Sequence, residues 1–279
     1  MEAIYQIIEG IIPFQWIQYD FMKNALLAIL IITPLFGILG TMIVNNQMAF
    51  FSDALGHSAL TGIAIGIIFG IADTNLSMVL FAMAFALVLN QIKRRKTVST
   101  DTVISVFASL STALGLVILS RGGNFSKYSS LLVGDILSIT PIEIGFLLVI
   151  FVLTLAFWGF AFNKLHAVSI NETLAKSKHI KVALIDNIFV VIIALIVMLS
   201  IKWVGILIIN ALLILPAAAS RNISANMREY HAFSVLISMF SGVLGLVLSY
   251  YNNTATGPTI VIIAAIIFFI TLSLKSFLK

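Results

Sequence analysis

Long apolar runs separated by short polar breaks set the pattern of this chain. About 20 mostly apolar residues are enough for a helix to cross a bilayer. Nine runs approach that length, at 24–44, 54–71, 76–92, 102–120, 141–162, 182–201, 203–219, 231–251 and 258–276. They predict an all-α, polytopic integral membrane protein with a single transmembrane domain over 1–279 and about nine spanning helices. Eight is the alternative, because the second run opens with Ser52, Asp53 and His57 and reads as partly re-entrant. The segment from Ile7 to Trp16 is expected to lie at the interface. Asn163 to Lys181 is the longest polar stretch, and no soluble domain is expected.

Composition agrees with lipid as the solvent: 61% of the residues are hydrophobic and 10% charged, against roughly 25% charged in soluble domains. The net charge of +5 does not point to nucleic acid, because the basic residues form short clusters between apolar runs. Those clusters orient the chain through the excess of Lys and Arg in cytoplasmic loops. With nine spans and the N-terminus outside, the inside receives Lys93, Arg94, Arg95, Lys96, Lys164, Lys176, Lys178, Lys181, Arg221, Arg228, Lys275 and Lys279. The outside receives Lys23, Arg121, Lys127 and Lys202. The C-terminus is therefore expected in the cytoplasm. Glu2 and Glu9, with no early Lys or Arg, lack the basic start of a cleavable signal. There are no cysteines, so thiolate metal sites and disulfides are excluded.

A few positions depart from plain membrane filler. Ser58, Gly62, Gly66 and Gly70 recur every fourth residue and give one helix face a smooth stripe. Packing inside the subunit is the plainer reading, and a dimer or pore contact is the other. Asp53 and His57 stand one helical turn apart on a shared face. Ionisable groups in a span are costly and line cavities or pair with one another. Carboxylate and imidazole can hold one borderline metal together, or they can hydrogen-bond and fix a helix end. Two ligands make an incomplete metal site, which a symmetric second subunit would complete.

The remaining signals are weaker. Asn210 and Pro216 interrupt an apolar span, as interhelical glue and as a kink. Asp101 and Thr102 read as a helix start, and Asp135 and Glu143 as solvated or capping acids. Asn171 to Lys176 is a short polar helix candidate with Asn171 as its cap. No phosphate-binding loop and no nucleophile–base arrangement is present, so neither ATP hydrolysis nor another enzymatic activity is expected of this chain.

Several stretches taken together resemble the ABC-3 family of permeases from zinc, manganese and iron importers. Asp53-Ala-Leu-Gly-His57 through Gly62 is similar to a D-x-x-x-H-x-x-x-x-G signature. Thr100-Asp101-Thr102 through Leu116, Gly134-Asp135-Ile-Leu137, Gly205 through Pro216-Ala-Ala, and Gly242 to Tyr251 with Thr256-Gly257-Pro258-Thr259 follow in order along the chain. The resemblance implies an importer permease of the vitamin B12/iron-siderophore-like type in the cell membrane. It implies a homodimer working with cytoplasmic ATPase subunits and an extracytoplasmic metal-binding protein. The divalent metal, zinc or manganese, is substrate rather than bound cofactor, and the stretch from Gln47 to Asp53 is closer to zinc members. Asp53 and His57 would meet the metal, and 163–181 would be the coupling segment, contacting the ATPase through Glu172, Leu174 and Ala175. Two positions depart from the family pattern there: Asn171 replaces an acid, and His179 stands at a common glycine. Upstream of the signature, Asn45-Asn46 stand where Arg is frequent. The rival reading is an ion-coupled secondary transporter, which needs no ATPase and binds at broken helices. A membrane scaffold is the third.

Overall fold

A computed structural model describes residues 2–11, 14–71, 73–94, 99–121 and 128–277. Within them lie eleven α-helices: α1 (Glu2–Ile11), α2 (Asp20–Asn45), α3 (Ala49–Ile68), α4 (Thr74–Arg94), α5 (Thr100–Arg121), α6 (Pro141–Ile170), α7 (Glu172–Ser177), α8 (Val182–Val204), α9 (Ile206–Ile223), α10 (Met227–Asn252) and α11 (Thr256–Phe277). Among the described residues eight helices are long and apolar enough to cross a membrane: α2 to α6, α8, α10 and α11. The exception among the nine expected spans is α9. Its 18 residues extend about 27 Å, close to the roughly 30 Å of a hydrocarbon core.

The count of eight agrees with the eight-span alternative, but the run left out is the one at α9 and not the second run. That run is a continuous 20-residue helix, α3. Asp53 and His57 lower its hydropathy, but α3 lies mostly inside protein and does not need an apolar surface all round. The reverse holds for α6. It runs 30 residues, beyond the expected 141–162, and exposes Ile142, Phe146, Val149, Leu153 and Phe160, side chains suited to lipid.

The chain forms two compact units, whose boundaries fall inside α2, α6 and α8 and between Leu132 and Val133. The first comprises 1–41, 133–152 and 202–279. Here α9, α10 and α11 pack on one another. Ser234 of α10 donates to the Gly37 carbonyl of α2 at 2.7 Å, and a Cβ on Gly37 would lie 2.8 Å from Val235 Cα. Small residues let the two backbones touch, the main source of helix association in lipid. Helix α1 is tied to the start of α2, where buried Lys23 pairs with Glu9 and Asp20 and lies over the Tyr5 ring. Ile4 and Ile7 remain exposed on α1.

One crossing in this unit demands glycine twice. Gly134 and Gly205 both have positive φ, +69° and +90°, a region L side chains rarely occupy. A Cβ on either would run into the other's backbone. The Asp135 N–H donates to the Lys202 carbonyl beside this crossing. Asp135 caps the short 3-10 turn Ile136–Ser138, and Glu143 accepts from Thr140 and from Lys202 Nζ at 2.6 Å.

The second unit comprises 42–132 and 153–201. Helix α3 packs on both α4 and α5. Toward α4, Ser77 donates to the Gly62 carbonyl, and a Cβ on Gly66 would lie 2.6 Å from Ser77 Cβ. Toward α5, Thr61 donates to the Ser111 carbonyl, and a Cβ on Gly115 would lie 2.7 Å from Thr61 N. Tight approach on two sides is what buries α3.

Candidate functional site

Helix α3 begins after a turn in which Gln47 takes a left-handed φ of 54° and Met48 N–H bonds back to Ile43 O. Its two packed sides leave a narrow third side. From Phe51 to Ala64 every residue is buried except Asp53 and His57. Phe50, Asp53 and His57 therefore form one exposed line, at spacings of three and four that share a helix face. Their depth along α3 follows from the rise per residue: about 6 Å and 12 Å from its first residue.

Within the pair, His57 Nε2 stands 3.7 Å from Asp53 Oδ1. This is too long for a hydrogen bond, so neither group is consumed by the other. The separation resembles that of two donors sharing a tetrahedral cation at about 2.1 Å each, which lie about 3.4 Å apart. His57 Nδ1 is buried without a hydrogen-bond partner among the described residues. Side-chain exposures of 38% for Asp53 and 28% for His57 leave both reachable. No cluster of three or more His, Cys, Asp or Glu suited to a metal occurs among the described residues. As a metal site the pair would supply two donors.

The other histidines serve structure. His166 packs edge-on against the Phe162 ring at 4.4 Å, and the His231 ring bonds the Met227 carbonyl on its own helix. His179 ends α7 with a φ of 55°.

Helix α7 is built by its flanks. The Asn171 side chain accepts from Leu174 N–H at 3.0 Å, a true N-cap. Asn caps as well as Asp, so the replacement of the expected acid leaves the cap intact. At the other end the left-handed His179 explains why the family pattern favours glycine at that position. Leu174 is half exposed, whereas Ala175 is completely buried. The Glu172 side chain lies outside the described residues.

Of the small-residue stripe, Ser58, Gly62 and Gly66 are buried, and both glycines meet α4 within the subunit. Gly70 lies beyond α3, with φ +67° and open space where a Cβ would point. Hydropathy does not single out Asn90, Asp186 and Asn187, which join α4 to α8 through Asn90–Asn187 and Arg94–Asp186 contacts, each 2.8 Å. The available signal was the presence of amides and an acid inside apolar runs.

Residues 18–275 match the model of the ABC 3 transport family. The chain is 31% identical over 247 residues to the high-affinity zinc uptake system membrane protein ZnuB of Buchnera aphidicola subsp. Baizongia pistaciae, covering 88% of this chain and 94% of that one. It is 26% identical over 268 residues to the manganese import system permease protein ScaB of Streptococcus gordonii, covering 96% and 94%. Among solved structures it is similar to PsaBC from Streptococcus pneumoniae in complex with Fab, with a TM-score of 0.80, 25% identity and coverage of 97% and 95%.

Proposed function

The chain belongs to the ABC 3 transport family, and from that membership we infer that it is the membrane-spanning permease subunit of an ATP-driven importer for zinc or manganese. Similarity to named zinc and manganese permeases over almost the whole chain supports the substrate class. The observation that carries the mechanism is the Asp53–His57 pair, open on a stretch of α3 that is otherwise buried. A carboxylate oxygen and an imidazole nitrogen suit either metal, and without thiolates the hold is weak enough for release. Two donors from each of two subunits would make four, the number that zinc prefers. The permease therefore works as a homodimer with the two pairs facing one path.

The metal is cargo. It exchanges part of its water for Asp53 and His57 and leaves when the path opens on the other side. Energy comes from separate cytoplasmic ATPases that dock at α7, where exposed Leu174 offers an apolar contact. Buried Ala175 holds the turn, its carbonyl accepting from Lys178 and Ile180. An extracytoplasmic binding protein delivers the cation. The Lys and Arg bias places the N-terminus outside and the C-terminus in the cytoplasm, which puts the metal pair toward the cytoplasmic end of α3.

The test is metal import by the complete importer in proteoliposomes with ATP inside. Leu174→Asp should leave the purified permease folded yet lose ATP-driven import. Import by the permease alone, driven by an ion gradient without nucleotide, would overturn the ABC reading in favour of a secondary transporter.

A further inference from the structure

In the second unit the ends of α2, α4, α7 and α8 surround a polar cavity of about 600 Å³. Its volume falls within the range of small-molecule sites. Asn45, Asn90, Lys93, Arg94, Lys176 and Asp186 are among its lining residues. Three cations therefore face one carboxylate. The walls are held in place: Asn90, 2% exposed, donates to Asn187 at 2.8 Å. Asn45 donates to Ser169 at 3.0 Å, and Arg94 pairs with Asp186 at 2.8 Å. Arg94 Nε stays buried with no acceptor among the described residues. The side chains that line the cavity carry a net positive charge. It would repel a divalent cation and attract an oxyanion.

We propose that this cavity binds a phosphate-bearing anion, the headgroup of an anionic phospholipid. Basic pockets between membrane helices at the cytoplasmic surface suit such headgroups. This one lies where membrane-length helices end and the basic residues following α4 begin. Lys93 and Lys176 bring the phosphate between α4 and α7. Arg94, held by Asp186, adds positive charge to the wall, and Asp186 opposes the anion. The occupant bridges the end of α4 to α7, so lipid composition sets how firmly α7 is held. Free inorganic phosphate has the same chemistry without the acyl chains.

The test uses the full chain in phosphatidylcholine nanodiscs with and without phosphatidylglycerol. Native mass spectrometry counts retained phosphatidylglycerol, and calorimetric titration with inorganic phosphate in detergent forms the second arm. Wild type and the Lys93→Arg/Lys176→Arg variant should retain phosphatidylglycerol. Lys93→Gln/Lys176→Gln should weaken retention roughly tenfold or more, each lysine near an anionic surface being worth about a fivefold change. Asp186→Asn should strengthen retention, a gain that loss of structure could not produce. Lysine-dependent binding of inorganic phosphate with no retained phosphatidylglycerol would overturn the lipid assignment and leave a phosphate site. Equal retention in every variant with no phosphate binding would overturn the site itself. So would a Gln variant that binds neither probe less well than wild type but loses the ATPase subunit, since the cavity would then be a protein contact.

Discussion

At the residue scale the most informative side chains are those the backbone would not choose. His179 holds a left-handed conformation at the end of α7, which costs an L residue about 1–2 kcal/mol. Glycine would relieve that cost and lose some of the gain to chain entropy. His179→Gly should thus match or exceed wild type in thermal unfolding in detergent, while His179→Val should fall about 1–2 kcal/mol below it. The reverse order would show that His179 makes contacts worth more than its strain. Local chemistry of this kind was partly legible. Asn171 was readable as a cap because Asn at the start of a polar helix has few other roles. Burial of Ala175 was not, since α7 is too short for a periodicity to declare its inner face.

At the element scale, packing between helices rests on small residues whose contribution differs from site to site. Gly205→Ala should destabilise by about 3 kcal/mol or more, because φ is positive and the new Cβ meets the backbone at Val133 and Gly134, which cannot move aside as a side chain could. Gly70→Ala should cost only about 1 kcal/mol, as φ is positive but the space is open. Comparable losses from both would show that the crossing is not the cause. Gly66→Leu should push α3 off Ser77 of α4 and give a misassembled or inactive permease. Normal transport by Gly66→Leu would contradict the tight α3–α4 seam. Hydropathy located α8 and α9 as separate runs because Lys202 interrupts them. The break itself comes three residues later, at Gly205, where the backbone turns. No hydropathy scale sees a glycine angle, and none pairs Gly134 with Gly205 across 71 positions of sequence.

For the whole molecule, the spanning helices were legible because lipid imposes one rule, that long helices be apolar, on nearly every element. The candidate site was legible for the opposite reason. Asp53 and His57 break that rule at helical spacing, and such a break marks a candidate site. The basic cavity was not legible, because several helix ends far apart in the sequence contribute one or two residues each. Transport draws on both the lipid rule and its exception. On the proposed reading an apolar bundle is the barrier, and the open line on α3 would give a dehydrated cation its place.

The most direct test of the central claim compares zinc and manganese import by wild type, Asp53→Asn and His57→Ala in proteoliposomes containing the complete importer. Asp53→Asn keeps the shape of the side chain and removes its charge, so packing is held constant while ligation is lost. The account predicts that both variants assemble with the ATPase at wild-type yield and import neither metal above the empty-vesicle level. Import at wild-type rates by both, with normal assembly, would show that the metal takes a path that does not touch this pair.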